Sequence, residues 1–225
     1  DVQRIAPFYD INFSSDSYPD KESVDLANSI LCSVDDKDFV EVAKKVSDGL
    51  WRKNITVLEE LSKIYNSTDA FVKDKIQKGN KTRDESGYYF GSAFYYEKEL
   101  YWGVDRLNHL ELRLNELGLN RSSSNEFICS LNSLAPDIIN SDKKINLHYY
   151  PSLNSPYTFV SIQRVRELRE KYPVNLITRP VLPMLMRMMA IPDFKAKYII
   201  SDAAREGRKY GHEMKSIYSP IGKPA

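Results

Sequence analysis

The sequence predicts a mixed α/β protein, and three patterns carry the prediction. Apolar residues recur at three- and four-residue spacings through residues 21 to 79, which is a helical period. Two aromatic-rich runs flank the polar pair Glu97-Lys98, the pattern of a β-hairpin. From Ile145 onward an alternating run, a helical stretch and a second alternating run follow one another, the order of a parallel β-α-β crossover.

Residues 1 to 20 hold Pro, Ser, Asp and scattered aromatics without a sustained period, and read as loop or a short strand. Within the helical region the repeats are Val42, Val46 and Leu50, then Val57, Leu58, Leu61, Ile64 and Tyr65. The hairpin runs are Tyr88 to Phe90 with Phe94 to Tyr96, and Glu99 to Trp102. After Gly103, Leu107, Leu110, Leu114 and Leu117 line one face of a helix that stops at Gly118. Residues 120 to 144 are rich in Ser, Asn and Asp and read as a linker. "INLHYY" is then a strand, 156 to 171 a helix, "VNLITRPV" a strand, and 184 to 190 and 193 to 210 helices divided by Pro192. The expected organisation is therefore 1–119, a helical insert with a hairpin and helix; 120–144, a linker; and 145–225, the β-α-β segment with its following helices.

With 225 residues, 42% of them hydrophobic and 28% charged, the chain can bury a core. Thirty-two basic against 31 acidic residues give no overall field favouring nucleic acid or an anionic membrane. No apolar run approaches the length of a membrane span, and the N-terminus lacks the charged-then-apolar pattern of a signal peptide. Cys32 and Cys129 form neither a C-x-x-C pair nor a zinc spacing, so dithiol redox chemistry and a metal site are not expected. These features predict a cytoplasmic protein. The first residue is not Met and the last residues are "SPIGKPA", as expected of a piece of a longer polypeptide.

One short stretch, "SLNSPYTF", places Ser155-Pro156 where the first of the two late strands gives way to a helix. Pro suits the first helical turn and Ser the position before it. Two readings of Ser155 stand side by side. It caps the helix, or its hydroxyl serves an anion such as a thiolate held at the positive helix end.

"NLHYYPSLNSPYTFVS", "VNLITRPVLP", "FKAKYIISDAAREGRKYG" and "YSPIGKP" resemble the first half of the 2-hydroxychromene-2-carboxylate isomerases and kappa-class glutathione transferases, in the DsbA-like thioredoxin superfamily. "YFGSAFYYEKELYWGVDRLNHLE" resembles the end of the same family. The resemblance implies a thioredoxin-like fold with a helical insert, glutathione as cofactor, and a small apolar, electrophilic or unsaturated substrate. By motif, Ser155 would assist the glutathione thiolate, Lys195 and Asp105 would hold the peptide's charged ends, and Ser92 would meet its backbone. A solvated lysine and a helix-capping aspartate are the plain alternatives for Lys195 and Asp105. Where the family has a cis-proline this chain has Ser92 or Ala93, so a trans peptide is expected. "MLMRMMAIPDF" replaces the family's Asn-containing segment, and its methionines suit either packing or an apolar substrate surface.

The two blocks stand in reverse order to the family, which fits either a slice through a tandem protein or a permuted domain. The halves are expected to associate within one chain or between two, the latter giving a homodimer. The expected function is that of a glutathione-dependent isomerase or transferase, against a thioredoxin-like binding or structural module without catalysis. Arg205, Arg208 and Lys209, interleaved with Asp202 and Glu206, read as a solvated helix face. His109, His148 and His212 carry no assigned role.

Overall fold

A computed structural model describes residues 2–13, 15–88, 90–121, 126–129 and 144–214. Most of the expected linker and the "YSPIGKP" stretch lie outside the described residues. The chain packs as two compact units, Asp1–Glu85 and Ser86–Ala225. The boundary expected at 119 therefore falls inside the second unit, which holds both the hairpin and the β-α-β segment.

The first unit is helical: α1 (Val2–Ile5), a 3-10 turn at Ala6–Tyr9, α2 (Lys21–Ser33), α3 (Asp36–Trp51), α4 (Ile55–Ile64) and α5 (Asp69–Glu85). The opening residues thus wind into helical turns where a loop or strand was expected. Pro7 fixes its own φ inside the 3-10 turn, and Asp10 ends that turn in the left-handed region at φ 54°. Asp20 starts α2 by accepting the Ser23 N–H at 2.8 Å. The amphipathic faces of α2, α3 and α4 meet in a core of Ala27, Ile30, Val34, Val42, Val46 and Leu58. Helix α5 buries no side chain and is tied to α2 by the Lys75 ammonium, which donates to the Cys32 carbonyl at 2.8 Å.

The second unit contains β1 (Ala93–Tyr96), β2 (Glu99–Trp102), a 3-10 turn at Val104–Arg106, α6 (Leu107–Glu116), β3 (Ile145–Tyr149), α7 (Pro156–Lys171), β4 (Val174–Thr178), a 3-10 turn at Met184–Arg187 and α8 (Asp193–Lys209). The mixed α/β class follows directly. Strands β1 and β2 pair antiparallel from Ala93↔Trp102 to Tyr96↔Glu99. Strands β3 and β4 pair parallel from Ile145↔Val174 to Tyr149↔Thr178. Among the described residues these are two separate two-stranded sheets.

The hairpin turns through Glu97 and Lys98, both left-handed at φ 46° and 68°. This is the two-residue turn whose twist matches its strands, built without the usual Asn-Gly. Helix α6 closes on Gly118 at φ 71°: the Gly118 N–H donates to the Asn115 carbonyl at 2.9 Å and Leu119 N–H to Leu114 at 3.0 Å. Helices α7 and α8 approach closely at Gly207, where an added Cβ would lie 3.5 Å from Val160 Cγ2 and 3.0 Å from the His212 carbonyl. No described helix is long and apolar enough to cross a membrane.

Two stability changes follow from these contacts. Ile30 is fully buried, so Ile30→Ala should cost about 2–5 kcal/mol in urea unfolding followed by circular dichroism. Replacing Glu97-Lys98 by Asn-Gly should instead add about 1 kcal/mol, because it removes two side chains from left-handed backbone. A lower midpoint for that second variant would show that the turn geometry is not as described.

Candidate functional site

The second unit is organised around one buried carboxylate. Asp202, on α8, is 1% exposed. Arg106 grips it with two hydrogen bonds, Nε to Oδ1 at 2.9 Å and Nη2 to Oδ2 at 3.0 Å. The Tyr157 hydroxyl donates to Oδ2 at 2.7 Å from the first turn of α7. Tyr198 and Arg205, one turn away on α8 itself, each reach Oδ1 at 3.4 Å. Such a charge is tolerable in the interior only because its lone pairs are met by donors from several elements.

The network continues along α8. The Arg205 guanidinium donates to the Leu100 carbonyl at 3.0 Å and to Glu99 Oε2 at 3.4 Å, and lies over the Tyr101 ring, 4.2 Å from its centroid. Glu206 meets the buried His109 ring, Nε2 to Oε1, at 2.6 Å. An aromatic cluster flanks the site: Phe90 stacks on Trp102 with centroids 4.6 Å apart, and Tyr88 lies 5.2 Å from Tyr198.

Burial pushes the Asp202 carboxyl up, but the hydrogen bonds from Arg106 and Tyr157 and the charges of Arg106 and Arg205 outweigh it, leaving it below the usual aspartate value. Burial likewise opposes the charge on Arg106, yet its carboxylate partners hold the guanidinium still more firmly protonated. Tyr198 is pushed up to about 12 by burial and by the Asp202 charge. Glu206 is lowered, mainly by its hydrogen bond with His109. Asp202, Glu206 and Arg106 are therefore charged at neutral pH, with Tyr157 and Tyr198 neutral.

Of the sequence-predicted residues, Asp105 alone has its side chain bonded to a member of this network, through Arg106. Ser155 begins α7 at φ −94° and ψ 120°, two residues before Tyr157, and its hydroxyl makes no capping hydrogen bond. The plain capping role expected for it is therefore absent. The Thr158 hydroxyl braces the entry loop instead, accepting the Ser152 N–H at 3.2 Å, while Ser155 N–H donates to the Ser152 carbonyl at 2.9 Å. Lys195 is half-buried in the first turn of α8, on the face that carries Tyr198 and Asp202 three and seven residues later. Asp105 does not cap a helix; its Oδ2 is held by Arg106 Nη1 at 2.6 Å while the side chain stays 72% exposed. Ser92 is exposed at φ 56°, its carbonyl taken by the Gly103 N–H at 3.1 Å. The described residues contain no cis peptide bond. Among them no hydrogen bond joins any two of these four side chains; Asp105 pairs with Arg106, while Ser155 and Lys195 lie two and three residues before Tyr157 and Tyr198 in sequence.

Two expectations need correction. The Asp202, Arg205 and Glu206 face of α8 is not solvated: Asp202 and Arg205 are buried, because Ala203 and Gly207 let neighbouring segments come close. His109, given no role, is a buried partner of Glu206. The signal for both lay in the small residues of "SDAAREG", which mark a closely approached helix face. The methionines after Pro183 are largely outside the core, Met186, Met188 and Met189 being 53%, 93% and 48% exposed. Among the described residues no group of three His, Cys, Asp or Glu side chains could hold a metal ion.

Removing the central carboxylate should take from Arg106 and Arg205 the buried partner they share, leaving Arg106 only the exposed Asp105 and the longer contact to Glu206, so Asp202→Ala is expected to cost about 3–5 kcal/mol in chemical unfolding. Because the folded carboxyl titrates below its unfolded value, its contribution is complete above about pH 4 and is lost as pH falls further. Asp202→Asn should flatten that part of the acid profile; an unchanged slope would remove Asp202 from the account.

Comparison with protein-family models, with curated proteins and with solved structures finds no match to this chain.

Proposed function

We propose that the second unit is thioredoxin-like and that the protein is a glutathione-dependent isomerase or transferase acting on a small apolar, electrophilic or unsaturated molecule. The observation that carries this reading is the state of Ser155. It sits at the start of α7, half-buried, with its hydroxyl uncommitted to the helix cap. A second support is that Tyr157, Tyr198, Asp202 and Arg106 share one hydrogen-bond network although they come from both halves of the resemblance.

Glutathione, when bound, supplies a nucleophilic sulfur. Ser155 would donate its hydroxyl proton as a hydrogen bond to that sulfur, and the start of α7 would favour negative charge beside it. Both lower the energy of the ionised thiol relative to the neutral one. Lys195 holds no ion pair among the described residues, so its ammonium is free to meet a peptide carboxylate. Asp105 would meet an ammonium with the oxygen that Arg106 leaves open. A cytoplasmic location suits this cofactor.

A second reading, a thioredoxin-like binding or structural module without catalysis, draws on two commitments already made. Asp105 is paired with Arg106, and the Ser92 carbonyl is occupied by the hairpin. Calorimetric titration separates the two. The enzyme reading expects saturable heat with glutathione, a thermal shift, and an absorbance band of bound thiolate that Ser155→Ala moves to higher pH. Absence of heat and of a thermal shift at high glutathione concentration would leave only the module.

A further inference from the structure

We propose that the cleft bounded by β2, α6 and the C-terminal half of α8 is a binding site for a small organic anion with an apolar body, distinct from the start of α7. The cleft measures about 750 Å³, a size suited to a small-molecule ligand. None of Ser155, Lys195, Asp105 and Ser92 lines it.

Its floor is preformed. Tyr101 is 2% exposed, and its hydroxyl donates to Glu99 Oε2 at 2.8 Å. Burial, aided by Glu99, pushes that phenol up to about 12, so it stays neutral. Arg205 covers the ring and is itself held by a backbone carbonyl, leaving little to reorganise when a ligand arrives. Outside the lining, the Glu111 carboxylate accepts the N–H groups of Ile128 at 2.7 Å and Cys129 at 2.6 Å. This ties the segment that follows Phe127 to α6, and Phe127 and Leu112 supply two apolar side chains to the lining.

Charge decides the sign of the ligand. Four cations line the cleft, Arg113, Arg205, Arg208 and Lys209, against the carboxylates Glu99 and Glu116. Arg205 spends its charge on Asp202 and Glu99. Arg208 and Lys209 form no ion pair among the described residues, and the carboxylates facing Arg113, Glu97 at 3.3 Å and Glu116 at 3.8 Å, are solvent-exposed and bind it weakly. The surplus at the rim is positive but small. It suits one carboxylate or sulfonate anchored at the rim, with a hydrophobic or aromatic body resting on Leu112 and Phe127. A polyphosphate would bring more negative charge than the rim can match beside Glu99 and Glu116.

The test uses the full chain and two fluorescent dyes of similar shape, anilinonaphthalene sulfonate and the uncharged phenylnaphthylamine. The sulfonate should bind saturably at one site and more tightly than the neutral dye. Arg208→Glu with Lys209→Glu should weaken the sulfonate on the order of tenfold, leave the neutral dye unchanged, and keep the wild-type circular dichroism and melting temperature. Leu112→Gln, which preserves the charges, should weaken both dyes. Saturating glutathione should leave the sulfonate bound. Equal affinity for the two dyes, binding that never saturates, indifference to the charge reversal, or displacement by glutathione would each overturn the proposal.

Discussion

The second unit depends on keeping one carboxylate charged where water does not reach. Once Asp202 is buried on α8, donors must surround it, and those donors come from the start of α7, from the turn that precedes α6 and from α8 itself. Three segments far apart in sequence are thereby fixed to one point. The gain is geometric before it is energetic. A buried ion pair is often no more stabilising than a well-packed apolar group of the same size, but it accepts fewer arrangements. The Arg106 fork meets both Asp202 oxygens in one orientation, so the entry to α6 is set in angle as well as position.

Small residues make that convergence possible. Ala203 and Gly207 keep α8 thin on its inner faces, and Gly207 lets α7 and the chain after α8 close in together. Larger residues there would hold the helices apart and leave the Tyr157 hydroxyl short of its acceptor. Packing and electrostatics are therefore one constraint. The same helix changes character along its length: Asp202 and Arg205 are enclosed, whereas Arg208 and Lys209 emerge in the final turn, where positive charge also complements the helix end.

Periodicity revealed α2, α3 and α4 because their apolar faces meet in one core. The β-α-β segment was legible to the residue at Pro156–Lys171, since Pro156 can open a helix and Pro173 cannot continue one. The hairpin was legible from Phe94 to Tyr96 and Glu99 to Trp102, even though Glu97-Lys98 is an unlikely pair for left-handed backbone, whereas Tyr88 and Phe90, expected in the first run, lie outside β1. The opening residues were not, because two short helical turns have no apolar period to display. The site was legible only at its margins. Residues at α8 spacings of three and four look the same whether they face water or another helix, and the distinction depends on Arg106 and Tyr157 arriving from 96 and 45 residues away.

Ser155 shows how a hydroxyl at a helix start can be spared from structural duty. A serine before a helix ordinarily supplies its hydroxyl to the first N–H groups, which would compete with any ligand for the same atom. Here Pro156 removes one of those donors, and the Ser155 carbonyl accepts the Thr158 N–H at 3.0 Å as the first bond of the helix. The entry loop is held by Thr158 reaching back to Ser152, and the first turn is anchored by Tyr157 on Asp202. The backbone of Ser155 thus opens the helix while its neighbours brace the loop and anchor the first turn. Stability and chemistry are separable at this position: loss of the hydroxyl would touch whatever lies beyond the helix end, while the fold around it stays held by Asp202.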